Sequence, residues 1–338
     1  MSQQHHPARA AVFSAGSWGT AMAKVLADAG ASVLVHARRP EIADGINSGH
    51  RNPDYFPDVE LPASLRATTD PAAALHGADF LVLSVPAQAL RAGLTGWAPH
   101  IAPGTVVVSL MKGIETGSGL RASEVIAEVT GVPGDRIAVL SGPNLAREIM
   151  GAHPAAATVA CPDEDTALRV QAACLTPYFR PYTSTDVIGA ELGGAVKNVI
   201  ALAVGIAAGM GLGKNTAAML ITRGLAETTR LAEALGGDPA TLAGLAGMGD
   251  LTATCSSPLS RNRTFGQHLG RGLSVAEATA ETRQTTEGVK SAEAILRLAD
   301  DHGIDMPITA VMSALLTEKI SLDQAVDALM QRPAKPER

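Results

Sequence analysis

Short apolar runs alternate with helical patterns through the first half of the chain, and longer helical patterns fill the second half. Continuous apolar runs that predict strands lie at residues 9–13, 32–37, 80–85, 105–110, 136–140, 155–160 and 179–183. Helical patterns at 20–29, 87–93 and 165–174 separate some of them. Continuous apolar strands divided by helices are typical of a parallel sheet that is covered on both faces. The pattern therefore predicts a doubly wound, Rossmann-like α/β domain over residues 1–187.

From residue 188 onward the apolar positions follow helical spacing. The stretch 188–213 is apolar all round the predicted helix, with Lys197 and Asn198 near its middle, which indicates a buried element. Only about fifteen apolar residues follow Lys197, fewer than the roughly twenty that a membrane span needs. Burying an unpaired ammonium costs several kcal/mol. Lys197 is therefore either part of a buried ion pair or a residue of a binding site.

Further helices are predicted at 215–235, 275–280, 289–298, 310–316 and 322–330, so residues 188–338 form an all-α domain. The stretch 246–263 is polar and predicts a long ordered loop. The charges Arg223, Glu227 and Arg230 follow helical spacing, which favours a structural ion pair and a solvated helix face.

Composition narrows the functional classes. The net charge of −6 disfavours nucleic-acid partners, and the polar first ten residues lack the apolar core of a signal peptide. The three cysteines Cys161, Cys174 and Cys255 show no metal-ligand spacing, so no metal site is predicted. A cytoplasmic protein without integral membrane contact fits best. The sequence does not settle the oligomeric state, and a homodimer remains open.

A glycine turn follows the first apolar run, in the sequence S-A-G-S-W-G-T-A from Ser14. Strand, glycine turn and helix in this order place backbone N–H groups against a pyrophosphate, which makes the turn with Gly16 and Gly19 a candidate cofactor site. Ser14 stands where the fingerprint has its first glycine. The alternative is a purely structural turn.

Arg38 and Arg39 follow the second apolar run, where an acidic residue would hold the ribose 2′-hydroxyl of NAD. Two guanidinium groups instead suit a 2′-phosphate, so NADP(H) is the first expectation and NAD(H) the second. The alternative is that both arginines only solvate the end of the strand.

Lys112 and Asn144 each lie just past a predicted strand, where parallel sheets collect their ligands. In the second half, Ser260, Arg261 and Asn262 form a cluster of donors suited to phosphate oxygens, and Asp250 could reach a buried lysine. The alternatives are that Lys112 is a solvated loop lysine, that Asn144 only forms a turn, and that the stretch around Arg261 is a capped surface turn.

Seven motifs in this order resemble the bacterial NAD(P)-dependent glycerol-3-phosphate dehydrogenases over about residues 10–330. They are G-S-W-G-T-A, L-M-K-G-I-E, S-G-P-N-L-A-R-E, E-L-G-G-A-V-K-N-V-I-A, L-I-T-R-G-L-A-E, G-M-G-D-L and S-S-P-L-S-R-N-R. The resemblance implies reversible hydride transfer between NAD(P)H and dihydroxyacetone phosphate, giving sn-glycerol 3-phosphate for phospholipid synthesis.

The resemblance also implies residue roles. Lys197 aligns with the proton donor and acceptor of the family. The implied substrate residues are Lys112, Gly142, Asn144, Lys197, Asn198, Asp250, Ser260, Arg261 and Asn262. The implied cofactor residues are Ser17 and Trp18 of the glycine turn, Arg38, Lys112, Ala146, Arg261, Thr285 and Glu287. Three positions depart from the family pattern: Ser14, Asn144 in place of the commoner Ser or Thr, and Lys214 in place of Asp.

Two rival functions remain at this point. A related two-domain dehydrogenase could act on another small hydroxy acid, although the cluster around Arg261 favours a phosphorylated substrate. A non-catalytic NADP-sensing protein would keep the glycine turn but would not need Lys197.

Overall fold

The apolar runs of the first half lie in one eight-stranded β-sheet. The computed structural model describes residues 8–282 and 287–330, and its sheet has the strand order β3-β2-β1-β4-β5-β6-β7-β8. The strands are β1 (Arg9–Phe13), β2 (Ser32–His36), β3 (Leu65–Thr68), β4 (Phe80–Leu83), β5 (Val106–Ser109), β6 (Ile137–Ser141), β7 (Ala155–Ala160) and β8 (Phe179–Ser184). Strand β1 lies between β2 and β4 and pairs with both.

Two findings differ from the predicted sheet. Strand β3 was not predicted, because its four residues alternate between buried and exposed and include Arg66. Strand β7 pairs antiparallel with β6, whereas the other neighbours pair parallel. The connection from β6 to β7 holds only the five-residue helix Ala146–Met150, and a parallel crossover usually needs a longer helix.

Helices cover both faces of this sheet. They are α1 (Ser17–Asp28), α2 (Pro40–Gly49), α3 (Pro71–Leu75), α4 (Leu90–Trp97), α5 (Ala122–Thr130), α6 (Ala146–Met150) and α7 (Glu164–Cys174). One apolar core includes Met22 and Leu26 of α1, and the core on the other face includes Leu90 and Leu94 of α4. The Rossmann-like prediction for the first half is therefore confirmed.

The second half is helical, as predicted. Its helices are α8 (Val187–Gly209), α9 (Lys214–Ala234), α10 (Pro239–Ala243), α11 (Asp250–Ser256), α12 (Arg261–Gly270), α13 (Val275–Thr282), α14 (Glu287–Asp301), α15 (Pro307–Leu316) and α16 (Leu322–Met330). A π-helical turn, Leu245–Gly249, precedes α11. Within residues 8–282 and 287–330, α8 is long and apolar enough to cross a membrane. However, 89% of its most apolar window is buried in the protein, which marks a core helix.

Glycines let α8 and α12 pack with their backbones almost touching. A Cβ on Gly205 would lie 2.1 Å from the carbonyl oxygen of Arg263, and one on Gly266 would lie 2.2 Å from that of Leu202. Side chains at these two positions would force the helices apart. This contact fixes α12, and with it the segment that begins at Ser260.

Two expectations for the helical half are wrong. The predicted loop at 246–263 is instead the π-helical turn, α11 and the start of α12, because Leu251 and Cys255 pack into the core. Glu227 does not lie on a solvated face, since it is only 2% exposed. Its carboxylate accepts hydrogen bonds from the backbone N–H groups of Ile308 and Thr309, at the start of α15.

The chain divides into two compact units. The first holds the described part of Met1–Met111 together with Leu120–Glu191, and the second holds Lys112–Gly119 with the described part of Leu192–Arg338. The segment Lys112–Gly119, which lies inside the predicted first domain, thus belongs to the helical unit. Lys112 accounts for this, because both its side chain and its carbonyl bond to residues of that unit.

Candidate active site

A buried carboxylate holds two lysines in the helical unit. Asp250, at the start of α11, is 1% exposed. Its Oδ1 accepts a hydrogen bond from Lys197 Nζ at 2.5 Å, and its Oδ2 accepts one from Lys112 Nζ at 2.6 Å. Lys197 lies on α8 and Lys112 on the segment after β5. The pairing that the sequence suggested between Asp250 and a buried lysine is therefore present.

The surroundings of Lys197 lower its pKa. Burial lowers the pKa of Lys197 to about 8, opposed by the charge of Asp250, while the nearby Lys112 lowers it further. Thr254 Oγ1 accepts a second hydrogen bond from Lys197 Nζ at 2.7 Å. Asp250 and Thr254 thus accept two of the three ammonium hydrogens. An amine with a pKa near neutrality both gives and takes a proton readily.

Side-chain amides extend this cluster. Asn198 donates to the carbonyl oxygen of Lys112 at 2.9 Å and accepts from the amide of Asn262, also at 2.9 Å. Asn262 in turn accepts from the N–H of Gly288 at 3.0 Å. These bonds fix the backbone at Lys112 and the first turn of α12. They commit most of the bonding capacity of both amides, which leaves Asn262 Nδ2 one further hydrogen.

A close backbone contact brings Asp250 to Lys197. A Cβ on Gly193, one helical turn before Lys197, would lie 2.4 Å from the carbonyl oxygen of Ala246 in the π-helical turn. π-helical turns often occur at functional sites. Here the turn leads directly into Asp250, so the approach that Gly193 permits sets the position of the carboxylate.

The remaining candidates of the helical unit occupy helix starts. Ser260 caps α12 and accepts a hydrogen bond from the N–H of Arg263. Arg261 is exposed and is the first residue of α12, where the positive end of the helix dipole favours anions. Glu287 is the first residue of α14, and Thr285 lies outside the described residues.

The glycine turn of the first unit is formed as the sequence predicted, with a strained first position. Ser14 has a φ of 113°, a conformation that favours glycine. Its Oγ accepts the N–H of Gly16 at 3.2 Å. A Cβ on Gly19 would lie 2.0 Å from the carbonyl oxygen of Ser14, so Gly19 permits the tight approach of α1 to β1. Ser17 and Trp18 begin α1, whose N-cap Gly16 offers no side-chain cap to the helix.

Buried polar atoms near these strand ends fit a bound cofactor. Trp18 Nε1 and both amide atoms of Asn144 are buried without a hydrogen-bond partner in the described chain. Such groups are costly unless a ligand or water satisfies them. Gly142 has a φ of 153°, and a Cβ there would lie 2.9 Å from Ala157 Cα. Ala146 follows as the first residue of α6.

Arg38 and Arg39 both lie exposed at the end of β2, where the sequence expects the cofactor ribose. The Arg39 guanidinium forms an ion pair with Asp54, and Arg38 shows no hydrogen bond or ion pair to the described residues. No cluster of three or more His, Cys, Asp or Glu that could hold a metal occurs within 8–282 and 287–330.

Two family models match the chain along nearly its whole length. The model for the NAD-dependent glycerol-3-phosphate dehydrogenase N-terminus matches residues 9–167, and that for the C-terminus matches residues 186–327. The chain belongs to the NAD-dependent glycerol-3-phosphate dehydrogenase family. The resemblance seen in its motifs is thus confirmed.

Individual relatives agree with this family. A protein of Streptomyces griseus named glycerol-3-phosphate dehydrogenase [NAD(P)+] is 64% identical over 98% of this chain and 99% of its own length. One of Thermobifida fusca with the same name is 63% identical over 98% of both. The crystal structure of glycerol-3-phosphate dehydrogenase from Coxiella burnetii superposes with a TM-score of 0.91, at 38% identity, covering 96% of this chain and 99% of that one.

For this dehydrogenase fold, the sequence missed Thr254 as a partner of Lys197. Asp250 and Thr254 are four residues apart and therefore lie on one face of α11. The signal was present in the spacing, but it has meaning only if the stretch is predicted to be helical. The sequence also missed Asn52, a buried side chain that bonds to the glycine turn at the carbonyl of Ala15.

Proposed function

We propose that the protein reversibly reduces dihydroxyacetone phosphate to sn-glycerol 3-phosphate with NADPH, and with NADH as the second coenzyme. The observation that carries this proposal is the carboxylate of Asp250 shared between Lys197 and Lys112, in a chain of this family. The product supplies glycerophospholipid synthesis.

The glycine turn, with Gly16, Ser17, Trp18 and Gly19, would hold the pyrophosphate of the coenzyme, and Arg38 and Arg39 its adenosine end. The unpartnered Trp18 Nε1 supports this placement. When bound, the nicotinamide supplies the hydride in reduction and takes it back in oxidation.

Lys197 supplies the proton. Asp250 and Thr254 orient two of its N–H bonds, so the third can donate to the ketone oxygen as negative charge develops there. Lys112, which pairs with the same carboxylate, stabilises the developing alkoxide until the proton has moved, and Lys197 is then neutral. In the oxidative direction, neutral Lys197 takes the hydroxyl proton.

The start of α12 would bind the substrate phosphate. Arg261 supplies a guanidinium, Asn262 one amide hydrogen, and Ser260 closes the first turn of the helix. Asn198 holds Asn262 in place. Fixing the phosphate positions the ketone for reaction, and such positioning contributes several kcal/mol to catalysis.

The test is a comparison of two ketones that differ only in the phosphate. The purified protein is mixed with NADPH and either dihydroxyacetone phosphate or dihydroxyacetone, and the loss of the NADPH absorbance is followed. We expect kcat/KM for the phosphorylated ketone to be higher by at least about 100-fold, because the unphosphorylated ketone cannot form a charged contact with Arg261. Equal rates, or turnover of neither ketone, would overturn the proposal.

We also propose that the enzyme works in the cytoplasm. Its cysteines Cys161, Cys174 and Cys255 are unpaired and buried, as expected for a protein kept in a reducing compartment. Fractionation of the source cells tests this, and recovery of the enzyme in a membrane or secreted fraction would contradict it.

A further inference from the structure

A short turn after α2 is anchored against the glycine turn of the first unit. Asn52 is fully buried, and its Nδ2 donates to the carbonyl of Ala15 at 2.9 Å and to Thr20 Oγ1 at 2.8 Å. Phe56 closes the turn by donating its N–H to the carbonyl of Asn52, and its ring is buried as well. The base of the turn 52–56 is therefore fixed to the element that would bind the pyrophosphate.

Asp54 lies at the tip of this turn. Its N–H donates to Asn52 Oδ1 at 3.2 Å, which ties the tip to the buried anchor. Its carboxylate pairs with the guanidinium of Arg39, the residue that caps α2 three positions after the end of β2. Both side chains are solvent-exposed, so a ligand can reach the pair.

The end of β2 is where dinucleotide-binding sheets discriminate between the two coenzymes. An acidic side chain there accepts the ribose 2′-hydroxyl of NAD, whereas an arginine accommodates the 2′-phosphate of NADP. Immediately after β2 the sequence offers Arg38 and Arg39, and the first acid, Glu41, follows only after Pro40, in the first turn of α2. The turn 52–56 brings a further acid, Asp54, into direct contact with Arg39 from elsewhere in the chain.

We propose that Asp54 is a specificity-determining residue that restrains the preference for NADPH over NADH, by competing with the 2′-phosphate for Arg39. The inference rests on the proposed function, because it requires that the coenzyme ribose lie at the end of β2. With NADPH, Arg39 must exchange the carboxylate for the phosphate, while the negative charge of Asp54 repels that phosphate. With NADH there is no such exchange, and Asp54 is free to accept the 2′-hydroxyl.

The chain offers a matched control in the same segment. Asp58, four residues after Asp54, also forms an exposed ion pair, with Arg147 of α6. Replacing either aspartate by asparagine removes one charge from one exposed pair at almost constant shape. Only Asp54 is paired with a residue at the end of β2.

The experiment titrates wild type, Asp54→Asn and Asp58→Asn with NADPH and with NADH, following nicotinamide fluorescence in the absence of ketone. For Asp54→Asn we expect the Kd for NADPH to fall about fivefold at low salt, the size of effect that one nearby surface charge has on a phosphate. The Kd for NADH should stay equal or rise, and Asp58→Asn should change the ratio of the two constants less than about twofold. Added salt should shrink the effect of Asp54→Asn, because it screens exposed charges.

The outcomes separate this inference from the function beneath it. If both coenzymes bind but their ratio is unchanged in Asp54→Asn, or changes equally in Asp58→Asn, the role of Asp54 is wrong and the proposed function stands. If wild type binds neither coenzyme, the proposed function fails and this inference with it. Asp54→Ser, which also lacks the charge, should reproduce the shift, and a Ser variant with the wild-type ratio would overturn the inference.

Discussion

Asp250→Asn removes the negative charge that two buried lysines share and keeps the shape of the side chain. The affected group is Lys197, whose pKa of about 8 is lowered by burial and held up mainly by Asp250. At an effective dielectric constant near 20, a pair of charges about 3 Å apart interacts by about 5 kcal/mol. Because the asparagine oxygen still accepts a hydrogen bond, we expect Lys197 to lose only part of this interaction energy, about 3 kcal/mol. That loss lowers its pKa by about two units. The variant lysine should then titrate near pH 6.

The sign of this pKa effect on the reaction rate follows from the proposed role of Lys197 as proton donor and acceptor. Reduction of the ketone needs the protonated amine, so the rate falls as the pH rises through its pKa, near 8 in wild type. In Asp250→Asn this fall in rate should occur about two pH units lower. At pH 7 kcat should drop at least about 100-fold, because less of Lys197 is protonated and its ammonium is less well aligned. Oxidation needs the neutral amine, so its rise with pH should also shift downward. The assay is kcat against pH in both directions, and a fall that stays near pH 8 in the variant would refute the reasoning.

Three further variants test separate contacts. Thr254→Val should lower kcat about tenfold, because Lys197 loses one hydrogen-bond acceptor, while the affinity for the coenzyme should change little. Thr254→Ser should keep most of the wild-type kcat. Equal kinetics in Thr254→Val and wild type would contradict this prediction. Ser14→Gly should raise the free energy of unfolding by up to about 1 kcal/mol in urea denaturation, because relief of the positive φ outweighs the lost hydroxyl contact; a clear loss of stability would show that Ser14 is not strained. The pKa of Glu227 is raised by burial to about 7 from 4.5. Ionising Glu227 in the folded state therefore costs nothing below pH 4.5, where the group is protonated, and its full cost is reached above pH 7. As the pH rises from 4.5 to above 7, the unfolding free energy of wild type should fall by up to about 3 kcal/mol relative to that of Glu227→Gln. A difference that does not vary with pH would contradict the burial of its charge.

The sequence predicted most of the fold because burial leaves a strong signature in apolar runs. Strand β4 is apolar throughout, and helix α8 is apolar except at Glu191, Lys197 and Asn198; both lie close to their predicted positions. Strand β3 is short and half exposed, so its four residues carry no such signature. The reversal of β7 depends on the length of the connection before it, which the pattern within the strand does not encode.

The contacts of the candidate site were likewise predictable only in part. A carboxylate partner for Lys197 could be foreseen, because a buried ammonium requires a counter-charge. Thr254 could not, since its stretch is rich in Ser, Thr and Gly and predicts a loop, while contacts with the core make it helical. Glu227 was wrongly predicted to be solvated. The backbone N–H groups that compensate the burial of its carboxylate belong to a helix about eighty residues later in the chain, so its own helix gives no sign of them.

The ion pair between Arg39 and Asp54 could not be predicted from a sequence motif or from apolar periodicity. Asp54 lies in a turn whose position depends on the burial of Asn52 and Phe56. Nothing in the sequence near Arg39 indicates that a carboxylate will reach it. Side-chain contacts between separate loops have to be taken from the structure.

The central claim is that Lys197 transfers the proton, and Lys197→Met tests it most directly. Methionine is apolar and of similar length, so the buried position is filled while the amine is lost. We predict that kcat for reduction of dihydroxyacetone phosphate falls at least about 1000-fold, whereas the Kd for NADPH, measured by fluorescence, changes less than about threefold. Turnover near the wild-type rate in a variant that still binds NADPH would contradict the claim.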